Sequence, residues 1–319
     1  MLFGGIDEAG YGPLLGPLSI AAVSAACADE KSLKAGFRRA RTGAKDSKQV
    51  HTSGDIAAIE AVALPAITWL TGNQPATASE CFAAMGESIE VRDGIPWMDS
   101  AAHVALPVAA VRLKRWDIPG VEPRGLHGRL IQPREYNAAG RSGMNKADLE
   151  LAAVGSLLSA IHRDDQHAQT IVDRLGGRRY YGDFLQTLWP RSMVLIETEA
   201  PGISSYRALG ASAEHAVHFC VDGESVSPLT AVASCIAKYV RELHMLLLNR
   251  FWSGRFPHLR PSAGYGRDAR RWLDDLGAIA ERDDLVRVGR TETDDVSAHA
   301  IADGIAAELD SDETTFASP

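Results

Sequence analysis

The chain has 319 residues, 45% of them hydrophobic and 23% charged, with a formal net charge of −8 from 33 basic and 41 acidic side chains. Those proportions fit an ordinary globular protein of one large domain or two. The acidic balance argues against a protein that coats nucleic acid, because phosphate binding draws on Lys and Arg, but leaves room for an enzyme with a local basic track beside an acidic metal site.

The apolar run Leu2–Ile6 reads as a strand that delivers Asp7 and Glu8 into the glycine-rich turn Ala9-Gly10-Tyr11-Gly12-Pro13. Neighbouring strand residues point to opposite faces, so the two carboxylates meet only if the backbone bends at once, which Gly10 and Gly12 permit. Pro17–Ala26 reads as a second strand paired with the first. Asp55–Leu64 reads as a short helix and Ile67–Leu70 as a strand. Residues 71–140 are rich in Gly, Pro and small residues and carry no interpretable motif. Lys146–Ile161 has apolar residues at helical spacing. Thr170–Asp173 is a short strand ending in an acid, and Gly176–Gly177 opens a helix through Leu188 that stops at Pro190. Met193–Glu197 and Ala216–Val221 are further strands. A long buried helix runs from Pro228 to Phe251, and Arg267–Leu276 and Asp294–Leu309 are helices before a polar tail, 311–319. Strands alternating with helices argue for an α/β sheet.

No apolar stretch reaches membrane-spanning length, and no basic segment precedes an apolar core at the N-terminus. Cys27, Cys81, Cys220 and Cys235 show no CxxC spacing, so neither a zinc site nor a disulfide framework is indicated and a cytoplasmic setting is expected. Basic residues cluster at Lys34–Arg41, Arg112–Arg115, Arg174–Arg179 and Arg267–Arg271. The first two read as solvated faces, whereas the last two flank candidate site motifs.

Asp7, Glu8, Asp173 and Glu224 stand at expected strand ends or helix starts, with Asp222 competing with Glu224. Hard divalent cations prefer carboxylate oxygens, and two ions about 3.5–4 Å apart can activate a water and stabilise a leaving oxygen. Sequence spacing alone does not bring these acids together.

A resemblance selects them. Gly5-Ile6-Asp7-Glu8-Ala9-Gly10-Tyr11-Gly12-Pro13 with Gly16-Pro17 resembles the opening signature of type 2 ribonucleases H, the ribonuclease HII family. Asp46-Ser47-Lys48 resembles that family's Asp-Ser-Lys element. Thr170–Asp173 with Gly176, Tyr181, Leu185 and Trp189-Pro190 is similar to its third-acid region, closest to the archaeal and eukaryotic catalytic subunits. Gly223-Glu224-Ser225, Pro228, Ala233–Lys238 and Arg241-Glu242 resemble the fourth-acid block, and Ala263–Asp268 with Trp272-Leu273 resembles the Gly-Tyr-Pro block.

The resemblance implies a ribonuclease H-like mixed sheet flanked by helices, with a helical C-terminal region at 261–310. It divides the chain into a catalytic core, 1–70 and 141–260, and an insertion, 71–140, that could bind a protein partner. It implies a two-metal Mg²⁺ or Mn²⁺ site on Asp7, Glu8, Asp173 and Glu224. Gly10, Tyr11 and Gly12 would read a ribonucleotide 2′-hydroxyl, Tyr265 would pack on the following sugar, and Lys48, Ser234 and Lys238 would hold phosphates. The implied activity is hydrolysis of RNA in RNA–DNA hybrids, or of ribonucleotides embedded in duplex DNA, by an endonuclease. Tyr265 as a plain turn aromatic, and Ser234 with Lys238 as ordinary helix residues, are the alternatives at those positions. Tyr11 stands where the family usually has Arg, and Glu224 where it usually has Asp. Those departures leave two other readings open: a nuclease acting on another nucleic-acid structure, or a catalytically weak nucleic-acid- or partner-binding protein.

Overall fold

Strand β1 (Leu2–Ala9) is the centre of the molecule. It pairs antiparallel with β2 (Leu18–Ala26) on one side and parallel with β4 (Ala168–Asp173) on the other. With β3 (Glu122–Ile131), β5 (Met193–Glu199), β6 (Ile203–Leu209) and β7 (Glu214–Cys220) it forms one mixed seven-stranded sheet in the order β3-β2-β1-β4-β7-β6-β5. This computed structural model describes residues 1–50, 55–86, 94–162, 166–277 and 282–287. The mixed sheet flanked by helices is the α/β class expected from the sequence.

The period-2 alternation of β1 and β2 divides the core into two layers. Phe3, Ala21, Val23 and Ala25 face α1 (Glu30–Ala40), α3 (Ala57–Thr71), α4 (Ala78–Ala84) and α9 (Pro228–Arg255). Leu2, Ile6, Ile20 and Ala22 face α6 (Lys146–Ile161) and α7 (Gly182–Leu188). The long α9 starts where Ser227 accepts from Leu229 N at 3.2 Å and Pro228 occupies the first turn, the preferred chemistry for a helix start. It lies directly on β1: a Cβ at Gly5 would stand 2.2 Å from Thr230 N, so this contact tolerates glycine alone. Shorter helices α2 (Ser47–Val50), α5 (Pro133–Arg141), α8 (Gly223–Val226), α10 (Gly266–Leu276) and α11 (Arg282–Leu285) complete the described elements.

Several expectations change. Asp55–Leu64 and Ile67–Leu70 are not a helix and a strand; α3 runs unbroken from Ala57 to Thr71, through Pro65, to a left-handed Gly72. Its apolar residues are buried nearly all round, which leaves no period to read. Residues 176–181 are loop, and α7 begins only at Gly182. The basic cluster at Lys34–Arg41 is mostly helix α1. Strands β3 and β6 were not foreseen: β3 contains Pro123, Gly125 and Gly128 and lies at the sheet edge, where proline is tolerated. Residues 122–131, inside the stretch expected as an insertion, are thus part of the central sheet. The expected helix Asp294–Leu309 and the 311–319 tail lie outside the described residues. All four cysteines are buried free thiols. Among the described residues, no helix is long and apolar enough to cross a membrane.

Glu60 of α3, fully buried, ties the segment after Leu106 to the core. It accepts from Val108 N and Ala109 N at 2.8 Å and from the Tyr239 hydroxyl at 2.7 Å. Glu60→Ala leaves three donors without their acceptor and should cost on the order of 3–5 kcal/mol. Tyr239→Phe, which removes one bond, should cost about 1 kcal/mol. Urea unfolding midpoints check the order.

Candidate active site

A cleft of about 300 Å³ opens at the C-terminal end of β1 and gathers six stretches of chain. Asp7, Glu8, Gly10, Tyr11 and Gly12 enter from β1 and its turn, Lys48 from α2, and Asp173 from the end of β4. Glu224 enters from α8, Ser234 and Lys238 from α9, and Tyr265 from the residue before α10. All eleven residues singled out in the sequence therefore line one cavity, which Asp46 and Ser47 also border. A larger depression of about 670 Å³ lies at the opposite end of β2, between Trp69 and Trp116, without an acidic cluster.

Carboxylate oxygens of Asp7, Glu8 and Asp173 come within 4.8 Å of one another. Strand alternation survives this convergence. Asp7 continues the Phe3–Gly5 face toward α9 and is hydrogen-bonded by the Ser234 hydroxyl, while Glu8 faces α6 and feels Glu150. Asp7 Oδ1 also accepts from Glu8 N at 2.6 Å, and Asp173 Oδ1 accepts from Gly223 N at 2.8 Å, which locks β4 to the start of α8. Glu224 lines the same cleft but stands outside the 4.8 Å group. Asp222 is exposed, in a left-handed conformation (φ 53°), and does not line the cleft.

The cluster is electrostatically loaded. Burial, then the charges of Glu8 and Asp173, hold the Asp7 carboxyl well above its ordinary range. Glu8 is pushed up to about 8 by burial, then by Glu150 and Asp173. Burial also raises Asp173 and Glu224. Lys48 is disfavoured by burial, yet Asp46, Glu224, Asp173 and Asp7 raise its pKa and keep it charged. Glu8 Oε2 and Glu224 Oε2 are buried without a hydrogen-bond donor. An oxygen-only donor set with unpartnered atoms, strained by mutual repulsion, fits a hard divalent cation.

The turn after β1 is shaped by cations that the sequence reading gave no role. Gly10 has φ 93°, and a Cβ there would stand 2.5 Å from Arg241 Cδ, so only glycine fits. Arg241, fully buried, donates to Ala263 O at 3.1 Å and Leu15 O at 3.4 Å and lies 5.1 Å from the Tyr265 ring centroid. Arg287 donates to Gly10 O at 2.6 Å and Gly16 O at 2.7 Å. Lys146 sits 3.5 Å from the Tyr11 ring centroid and donates to the Tyr11 carbonyl; burial and Arg287 lower its pKa to about 8. Glu150, one helical turn further along α6, is fully buried with both oxygens unpartnered, and burial raises it to about 7. Its position four residues after Lys146 was visible in the sequence; its approach to Glu8 was not. Ser234 is buried, accepts from Ser47 N at 3.4 Å, and serves Asp7, while Lys238 pairs with Glu242 at 2.7 Å.

Comparison with protein-family models gives no match, and neither does comparison with curated proteins. Among solved structures, the chain is similar to the ribonuclease H2 from Pyrococcus horikoshii OT3, at 16% identity and a TM-score of 0.46, covering 90% of this chain and 92% of that one. It is similar to the RNase HII of Archaeoglobus fulgidus in its complex with PCNA, at 17% identity and a TM-score of 0.40, covering 84% and 82%. It is also similar to Bst-RNase HIII in complex with Mn²⁺, at 19% identity and a TM-score of 0.46, covering 94% and 70%.

The folded pKa of Glu8 lies above its unfolded value of 4.5, so between those values the folded chain binds more protons than the unfolded one. Its stability should therefore fall as pH rises from about 5 to 8, by up to about 1.4 kcal/mol per unit of pKa shift. Thermal unfolding without divalent ions should show this decline. Millimolar Mn²⁺ should reverse it, stabilising more at pH 8 than at pH 6, and Glu8→Gln should flatten both effects.

Proposed function

We propose that this chain is a divalent-metal-dependent endonuclease of the type 2 ribonuclease H kind. It hydrolyses the RNA strand of RNA–DNA hybrids, or ribonucleotides embedded in duplex DNA, leaving 5′-phosphate and 3′-hydroxyl ends. The observation that supports this most is convergence. Acids, turn, lysines and tyrosine from six separate stretches, selected by sequence resemblance alone, line a single cleft.

Asp7, Glu8, Asp173 and Glu224 would hold the ions. Bound Mg²⁺ or Mn²⁺ supplies an activated water and neutralises charge on the attacked phosphate. Ser234 orients Asp7, and Gly223 N orients Asp173, so two ligands have fixed rotamers before any ion arrives. The Gly10–Gly12 turn, clamped by Arg241 and Arg287, offers backbone groups to a 2′-hydroxyl, the group that separates RNA from DNA. Tyr265 is 43% exposed above Arg241 and presents its ring to a sugar. Lys48 and Lys238 face phosphates, which position a duplex without reading its sequence. Lys146 returns a positive charge to the turn where Tyr11 replaces the expected arginine.

Cleavage of a DNA duplex carrying one ribonucleotide, assayed in Mg²⁺ and in Mn²⁺, tests the reading. Asp7→Asn should lose about 10²–10³-fold in rate, the scale of removing one preorganised charge-stabilising group. Equal rates would remove Asp7 from the mechanism, and equal cutting of an all-DNA junction would overturn the substrate assignment. Lys146→Met should raise KM for the ribonucleotide-containing duplex several-fold while leaving the fold intact.

A further inference from the structure

Several arginines of the two clusters expected beside the site are tied up within the fold. Arg174 and Arg179 donate to the carbonyls of Ala200 and Glu199, Arg178 pairs with Asp148 at 2.6 Å, and Arg271 pairs with Asp268 at 2.7 Å. Those arginines are consumed within the fold. The cluster on α1, expected as a solvated face, is exposed and also borders a groove of about 350 Å³ lined by Lys34, Arg38, Arg41, Lys45 and Glu224. Glu224 also lines the active cleft. A third depression, carrying Lys45, Asp46, Gln49, Asp222 and Glu224, shares residues with both. The concave surface thus runs from the acid cluster to α1, where Glu224 is the one acidic side chain among four cations in the groove lining.

The four cations are exposed, and the side chains of Arg38, Arg41 and Lys45 have no ion-pair partner among the described residues; Lys34 pairs with Glu30 at 2.6 Å. Lys34, Arg38 and Arg41 fall at i, i+4 and i+7, one face of α1 with a rise of about 10 Å. Three phosphate-to-phosphate steps along a strand, at about 3.4 Å each along the duplex axis, cover the same length. The adjoining flank of α1, through Leu33, Gly36 and Phe37, is buried against the core, so the cationic row is rigidly mounted. Arg41 closes the helix in a left-handed conformation (φ 50°), where glycine is the less costly residue. The chain keeps a guanidinium there.

We propose that the α1 groove is a phosphate-backbone track that extends the active cleft. Arg38, Arg41 and Lys45 grip one strand of the duplex beside the cleft in which it is cut. The proposal rests on the nuclease reading of the adjoining cleft. It adds a binding surface that contacts no reacting atom and reads no base, so its contribution is affinity rather than turnover.

The test measures binding of an RNA–DNA hybrid about two helical turns long, in Mg²⁺, with Asp7→Asn as the parent protein so that no strand is cut. Arg38, Arg41 and Lys45 are changed together to Ala in that background; Arg39→Ala, also on α1 but outside the groove, is the control. Each cation that neutralises a phosphate contributes about 0.9 to the dependence of log K on log salt. The triple variant should therefore show a slope shallower by about 2–3 and at least tenfold weaker binding near physiological salt, with an unchanged thermal midpoint. The control should match the parent. If the parent binds but the triple variant loses no more slope than the control, the track is overturned and the cleft assignment stands. If the parent binds no hybrid at any salt, the nuclease reading and the track fall together.

Discussion

Everything in this molecule depends on holding several carboxylates in a confined, poorly solvated space at the end of β1. Burial raises the carboxyls of Asp7, Glu8 and Asp173; the charges of Glu8 and Asp173 raise Asp7 further, and that of Asp173 raises Glu8. Such an arrangement is unfavourable by itself. It persists because β1 is pinned on both edges by β2 and β4 and on one face by α9, whose backbone touches Gly5. The repulsion that the framework withstands is also what makes the site receptive to a divalent cation.

A second constraint surrounds the first. Arg241 and Arg287 are almost fully buried, yet they serve carbonyls of the 10–16 loop more than carboxylates. They join the turn after β1 to the segment that ends in Tyr265 and to the segment at 285–287, which bridges Leu15 through Val286. The acids and the elements that would hold a nucleic acid are thus braced through one shared loop.

The acids, the glycine turn and Tyr265 were selected by resemblance, and the fold gathers them at one cleft. Strands β1, β2 and β4 and helices α6 and α9 were legible because their buried faces keep a clear period or sit beside strong start signals. Strand β3 was hidden by Pro123 and its glycines, β6 by Ser204 and Ser205 in buried positions, and α3 by burial all round. Glu150, Lys146 and Arg287 could not be assigned to the site, since their importance lies in which distant backbone or carboxylate they approach. The α1 cations were visible, but nothing in their spacing showed that the groove beside them opens into the cleft.

The central claim is that Asp7, Glu8, Asp173 and Glu224 enclose divalent ions. Anomalous scattering from crystals soaked in Mn²⁺ tests it directly. The account predicts strong peaks within coordination distance of oxygens from these four residues. A cleft without anomalous density under those conditions, or manganese held elsewhere on the molecule, would contradict it.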